Sequence, residues 1–284
     1  MSSLPVHRGV TRFSSVRIVL AMLAVCIPVA LVLILSHQIP DRALRAFWPP
    51  LLAAALGLVG YIAYVRRIER RAVTELHGPA QGIELGAGLA LGTLLFLGAV
   101  GIVALAGDFD VIGTANWRAC AKAFTDMMFV ALIEEILFRG VIFRLCERSQ
   151  GTWLAIVISA LLFGLAHLPN EGMTAFAVGN TVIAGVMFAA AYLQSRRLWL
   201  PIGLHFSWNF VSDGVLSLPT SGNAAHGLLQ LRLTGPDWLT GGAYGLEGSV
   251  VTLILMTVVS AILLLRAMRE GQCIKLRDAK ARQT

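Results

Sequence analysis

Apolar residues along this chain come in blocks close to 20 residues long, separated by short polar stretches rich in arginine. About 20 residues of α-helix cross ~30 Å of hydrocarbon. The pattern predicts eight membrane-spanning helices, over roughly 16–36, 47–65, 84–106, 119–144, 153–169, 173–195, 198–217 and 247–267. Pro169-Asn170-Glu171-Gly172 is the turn that divides the fifth from the sixth. In the third block, Gly88-x-x-x-Gly92 predicts close helix packing. A phosphate loop would need a strand before it and a helix after it. The stretch from Ser217 to Gly245, with Pro219, Gly222, Asn223, Pro236 and Gly241-Gly242, predicts an external loop with a short interfacial piece near Leu228–Leu231. The first block, from Val16 to about Ser36, exceeds the ~7–15 apolar residues of a signal peptide and is expected to be a retained span.

Composition agrees. The chain is 57% hydrophobic and 14% charged, where soluble domains carry about 25% charged residues. The expected fold is an all-α polytopic membrane helix bundle, one membrane domain over 1–284. The net charge of +7 lies beside the ends of the apolar blocks, so topology accounts for it better than nucleic acid does. One set of ends holds Arg8, Arg12, Arg17, Arg66, Arg67, Arg70, Arg71, Arg144, Arg148, Arg196, Arg197 and a tail from Arg266 to Arg282. The other holds only Arg42, Arg45, Arg118, Lys122 and Arg232. The positive-inside rule then predicts both termini in the cytoplasm. Cys26, Cys120, Cys146 and Cys273 are scattered without CxxC spacing, which argues against a disulfide framework or a thiolate zinc site.

Few polar side chains interrupt the blocks, and they form three patterns. Glu134-Glu135-x-x-x-Arg139 puts two carboxylates inside the fourth block. Each costs roughly 2.5–3.5 kcal/mol at a membrane centre. Glu135 and Arg139, at i,i+4, share a helix face. Glu134 is turned ~100° away and lacks a partner close in sequence. Phe163-x-x-x-His167 lies in the fifth block, and His205-x-x-x-Asn209 in the seventh. Each alone could be structural, an ion pair or an interhelical hydrogen bond. Depth connects them. At 1.5 Å per residue from the arginine-rich ends, Glu134 lies ~15 Å in, His167 ~21 Å, His205 ~12 Å and Asn209 ~18 Å. Three polar patterns on three spans therefore converge near mid-membrane. Asp126, about two turns from Glu134, reads as interfacial polar packing.

These motifs, in this order, resemble the CAAX-protease and bacteriocin-processing family of intramembrane glutamic endopeptidases, which includes the Ras-converting-enzyme type. The resemblance covers about 130–210. It implies an eight-helix fold, with a catalytic core over about 119–217, that cleaves peptide bonds of a membrane-anchored or lipidated protein or peptide. It implies that Glu134 and His167 activate a water and that His205 and Asn209 support the oxyanion. Glu135, Arg139 and Phe163 would support them. No metal or other cofactor is expected, and the expected partners are that substrate and the lipid bilayer, not nucleic acid. The expected location is a bacterial plasma membrane. Two other readings stay open. A metalloprotease would use Glu134, His167 and His205 as ligands, although no HExxH motif is present. A transporter, immunity protein or scaffold would use the same residues without catalysis.

Overall fold

A computed structural model describes residues 14–276, with His226 excepted. Arg8, Arg12 and the tail beyond Leu276, which entered the charge argument, lie outside the described residues. Among those described, eight long helices follow the eight apolar blocks. They are α1 (Ser14–Ser36), α2 (Trp48–Glu69), α3 (Gln81–Ala106), α4 (117–150), α5 (Thr152–Ala166), α6 (Ala175–Leu193), α7 (199–215) and α8 (Val250–Arg269). Helices α1, α2, α3, α6 and α8 are long and apolar enough to cross a membrane, and α5 is a shorter apolar helix. The protein is thus an all-α polytopic membrane bundle.

Helix α4 is the most polar and is built in three pieces. Trp117–Glu135 is α-helical, Ile136–Phe143 widens into a π-helix, and Arg144–Gln150 is α-helical again. The Asn116 side chain starts it by accepting the Arg118 N–H at 3.0 Å. Its first piece packs on α2 and α7, and its π turn and last piece pack on α5. Helix α5 has only 15 residues, ~22 Å at 1.5 Å each, short of a full crossing. It ends at His167, so that histidine stops inside the bundle instead of at its surface. The fifth span therefore runs 152–166, where the hydropathy pattern predicted 153–169. The predicted turn follows, and Gly172 takes φ +69°.

Helices α3 and α7 pack most intimately. A Cβ at Gly92 would lie 2.3 Å from the Leu204 carbonyl oxygen, and one at Gly88 2.3 Å from that of Leu200. The Gly88-x-x-x-Gly92 pattern is thus a helix-packing seam, as expected. This seam fixes the rotation of α7, which carries His205 and Asn209.

One element departs from the all-helical expectation. Asp108–Thr114 forms strand β1 and Leu229–Thr234 strand β2, paired antiparallel with an irregularity between Val111 and Gly113. The stretch near Leu228–Leu231, expected as an interfacial piece, is mostly strand. Its partner is more than 100 residues away in sequence, so local hydropathy carries no sign of the pairing.

At the arginine-rich end, charges that read as topology signals are largely paired. Arg144 bonds both carboxylate oxygens of Glu69, at 2.8 and 2.7 Å. Arg71 bonds both oxygens of Glu75, at 2.7 Å each. The Tyr61 hydroxyl meets the same Glu75 carboxylate. Arg144 also donates to the Gly140 carbonyl in the π turn, at 2.6 Å. This network joins α2, the loop after it and α4.

Candidate active site

The π turn of α4 begins immediately after Glu134-Glu135, and the two glutamates meet different surroundings. Glu135 is fully buried. Its Oε1 accepts from Arg139 Nη1 at 2.7 Å and from His205 Nδ1 at 3.0 Å. Arg139, also fully buried, donates from Nη2 to the Gly185 carbonyl at 3.1 Å. Its guanidinium lies over the rings of Phe163 at 4.7 Å and Phe188 at 4.9 Å. A buried cation between aromatic faces and beside a carboxylate is well compensated. The i,i+4 pairing read from the sequence is present, and His205 joins it.

Glu134 faces a cavity of about 230 Å³. Its side chain is 25% exposed, and its Oε2 is buried without a hydrogen-bond partner within the protein. His205 Nε2 lies 3.8 Å from it, beyond hydrogen-bond reach. His167, His205 and Asn209 line the same cavity. The depth argument placed these four together, and the fold brings them to one space.

Both histidines are oriented by hydrogen bonds. His167 Nδ1 donates to the Phe163 carbonyl, one turn back, at 2.8 Å, which leaves Nε2 as the acceptor of the neutral ring. The Phe163 ring lies 4.7 Å from that of His167 and 6.2 Å from that of His205, so the phenylalanine of this motif forms the wall between them. His205 stacks on Phe188 with centroids 4.6 Å apart. Its Nδ1–H is directed at Glu135, so Nε2 of the neutral ring is an acceptor too. The oxyanion role that the resemblance implies for His205 therefore carries a condition. Nε2 can donate only when both ring nitrogens carry protons.

Asp126 pairs with Lys122 at i,i+4 on an exposed face and does not line the cavity. Among the described residues, no three His, Cys, Asp or Glu side chains group as a metal site, so the trio Glu134, His167 and His205 is not assembled as ligands. Sequence reasoning missed the far wall of the cavity: Asn180 and Thr181 from α6, and Ser221, Tyr244 and Glu247 from the segment between α7 and α8. The adjacent Asn180-Thr181 inside an apolar block was a usable signal. The residues of that segment gave none, because only folding carries them over the helix ends.

Residues 116–211 match the Rce1-like family, described as Type II CAAX prenyl endopeptidase Rce1-like. Over 78 residues the chain is 30% identical to "Putative membrane peptidase YdiL" of Bacillus subtilis (strain 168). That match spans 28% of this chain and 30% of the relative's length. No solved structure matches significantly. The matched stretch contains Glu134, Glu135, Arg139, Phe163, His167, His205 and Asn209. Over this stretch, a minor part of the chain, the sequence is similar to the Rce1-like CAAX-type endopeptidases and to a relative of which it spans less than a third.

Proposed function

We propose that the protein is an intramembrane endopeptidase in which Glu134 is the general base. One observation carries this reading. Of two adjacent glutamates, the buried one pairs with Arg139, and the half-buried one faces a cavity shared with two histidines and an asparagine. A carboxylate placed in a membrane without a compensating cation is expensive, and such residues mark functional sites.

In this mechanism a water lies between Glu134 and the histidine Nε2 acceptors. Its oxygen attacks the scissile carbonyl carbon while its proton passes to Glu134. The carbonyl oxygen becomes an oxyanion, supported by the Asn209 amide, which donates whatever the protonation of its neighbours. When the C–N bond breaks, the proton returns to the leaving amine from Glu134 or through His167. Glu135 and Arg139 hold His205 in place and do not exchange protons with substrate.

Met127, Val130, Phe163, Ala184, Phe188 and Met256 give the cavity an apolar wall. That wall supports a membrane-anchored or lipidated peptide as the substrate. The cavity also reaches Asn170 and the exposed Asn223, on loops at the end opposite the arginines. With both termini cytoplasmic in a bacterial plasma membrane, substrate is met from the outer side. A cysteine at position 223, in a background lacking the four native cysteines, should react with a membrane-impermeant maleimide in intact cells. Labelling seen only after lysis overturns this orientation.

The decisive experiment on the reaction is Glu134→Gln in proteoliposomes carrying membrane-anchored peptides. Loss of a general base lowers turnover by about 10²–10⁴-fold. Cleavage within threefold of wild type would show that Glu134 is not the base.

A further inference from the structure

The segment between α7 and α8, which carries none of the three motifs, closes the cavity and brings a phenol into it. Tyr244 ends the short turn Gly242–Tyr244 and lines the cavity together with Glu134, His205 and Asn209. It is 1% exposed. Its hydroxyl lies 3.0 Å from Thr181 Oγ1, and the Thr181 hydroxyl donates to the Ala177 carbonyl at 2.9 Å.

The placement is held from several sides. Gly241 and Gly245 take φ of +85° and +94°, a region that side chains strain to enter. Three residues on, the Glu247 carboxylate accepts from Trp208 Nε1 at 2.8 Å and from the Ser221 N–H at 2.7 Å. Asn180 Nδ2 donates to the carbonyls of Glu247 and Ser249, at 2.7 and 2.9 Å. The segment is thereby tied to α6 and, through Trp208, to the helix bearing His205 and Asn209.

The cavity also has room for a second oxyanion donor beside Asn209. A tetrahedral oxyanion is best stabilised by preorganised donors aimed at the oxygen as it gains charge. Asn209 supplies one, and His205 Nε2 supplies another only as an imidazolium. Burial, and next the Glu247 carboxylate, push the Tyr244 phenol up to about 12, so it keeps its proton across the physiological range.

We propose that Tyr244 is a further catalytic residue, whose hydroxyl hydrogen-bonds the carbonyl oxygen of the scissile amide as that oxygen becomes an oxyanion. This rests on the endopeptidase reading above. The O–H turns from Thr181 Oγ1 toward the substrate oxygen, and no proton changes owner.

Tyr244→Phe keeps the ring and removes the hydroxyl. With the variant measured beside wild type and Glu134→Gln in the same proteoliposomes, kcat should fall about 10²–10³-fold, as for loss of one oxyanion donor. KM should stay within threefold. Thr181→Val breaks the same Tyr–Thr contact but retains the phenol, and its kcat should fall at least about tenfold less than that of Tyr244→Phe. Equal losses in the two variants would reduce the hydroxyl to a structural tie and overturn the proposal. So would full kcat in Tyr244→Phe while Glu134→Gln is dead. Cleavage surviving Glu134→Gln would instead overturn the endopeptidase reading beneath it.

Discussion

The two ends of the π turn in α4 carry similar chemistry to opposite purposes. Toward its C-terminal end, Arg144 meets Glu69 and Arg71 meets Glu75, each through two hydrogen bonds, with Tyr61 completing the Glu75 site. At the other end of the π turn, Arg139 pairs with Glu135 through one hydrogen bond, which leaves Glu135 Oε2 and Arg139 Nε without partners, but Glu134 has no cation of its own and opens on a cavity. The side chains of Glu69 and Glu75 are buried and that of Glu134 is half-buried, but burial alone does not set Glu134 apart in kind. The difference is compensation. A buried charge beside its counter-charge is structure, and a carboxylate that lines a cavity without a cation is a candidate for chemistry.

That contrast can be broken at Glu134 first. Glu134→Gln should remove activity by the 10²–10⁴-fold stated above and leave the melting temperature in detergent nearly unchanged, because Oε2 loses no protein hydrogen bond. A large fall in melting temperature would move Glu134 to the structural side.

Arg139→Met should do the reverse. It leaves Glu135 buried with its cation gone, a change that typically costs about 3–5 kcal/mol. Its activity should fall with the folded fraction and through misplacement of His205. A variant as stable as wild type would mean that Arg139 does not compensate Glu135.

The smallest effect is expected from acid. Burial opposes the charged form of Glu75, but Arg71, Arg144 and the Tyr61 hydroxyl outweigh it and hold its carboxyl below the usual range. A carboxyl depressed in the folded state stabilises fully above its unfolded value of about 4.3. That stability is lost as pH falls below this value, through the folded one. Melting temperature measured from pH 6 to pH 3 should therefore drop more steeply for wild type than for Glu75→Gln. Parallel curves would show that the network is not what acid releases.

Much of the site was legible from spacing alone. The i,i+4 rule assigned Arg139 to Glu135, and a rotation of ~100° per residue set Glu134 apart. Depth along the helices grouped Glu134, His167, His205 and Asn209, which now line one cavity. Other features were not legible, for identifiable reasons. The arginines near 66–71 and 144 marked one end of the bundle, but Arg144 meets Glu69 across 75 residues that hydropathy does not connect. The strand pair β1–β2 depends on a contact between two distant loops. The donor state of His205 depends on which carboxylate its Nδ1 reaches, and helix periodicity is silent on that.

From the sequence alone come the eight helices, the all-α membrane class and the four polar residues at one depth. These follow from local periodicity and the cost of leaving backbone and charge unpaired in hydrocarbon. Tertiary structure alone decided the orientation of each imidazole, the pairing at the arginine-rich end and the arrival of Tyr244 over Glu134. Each depends on side chains from segments remote in sequence, and their distances exist only once the helices have packed.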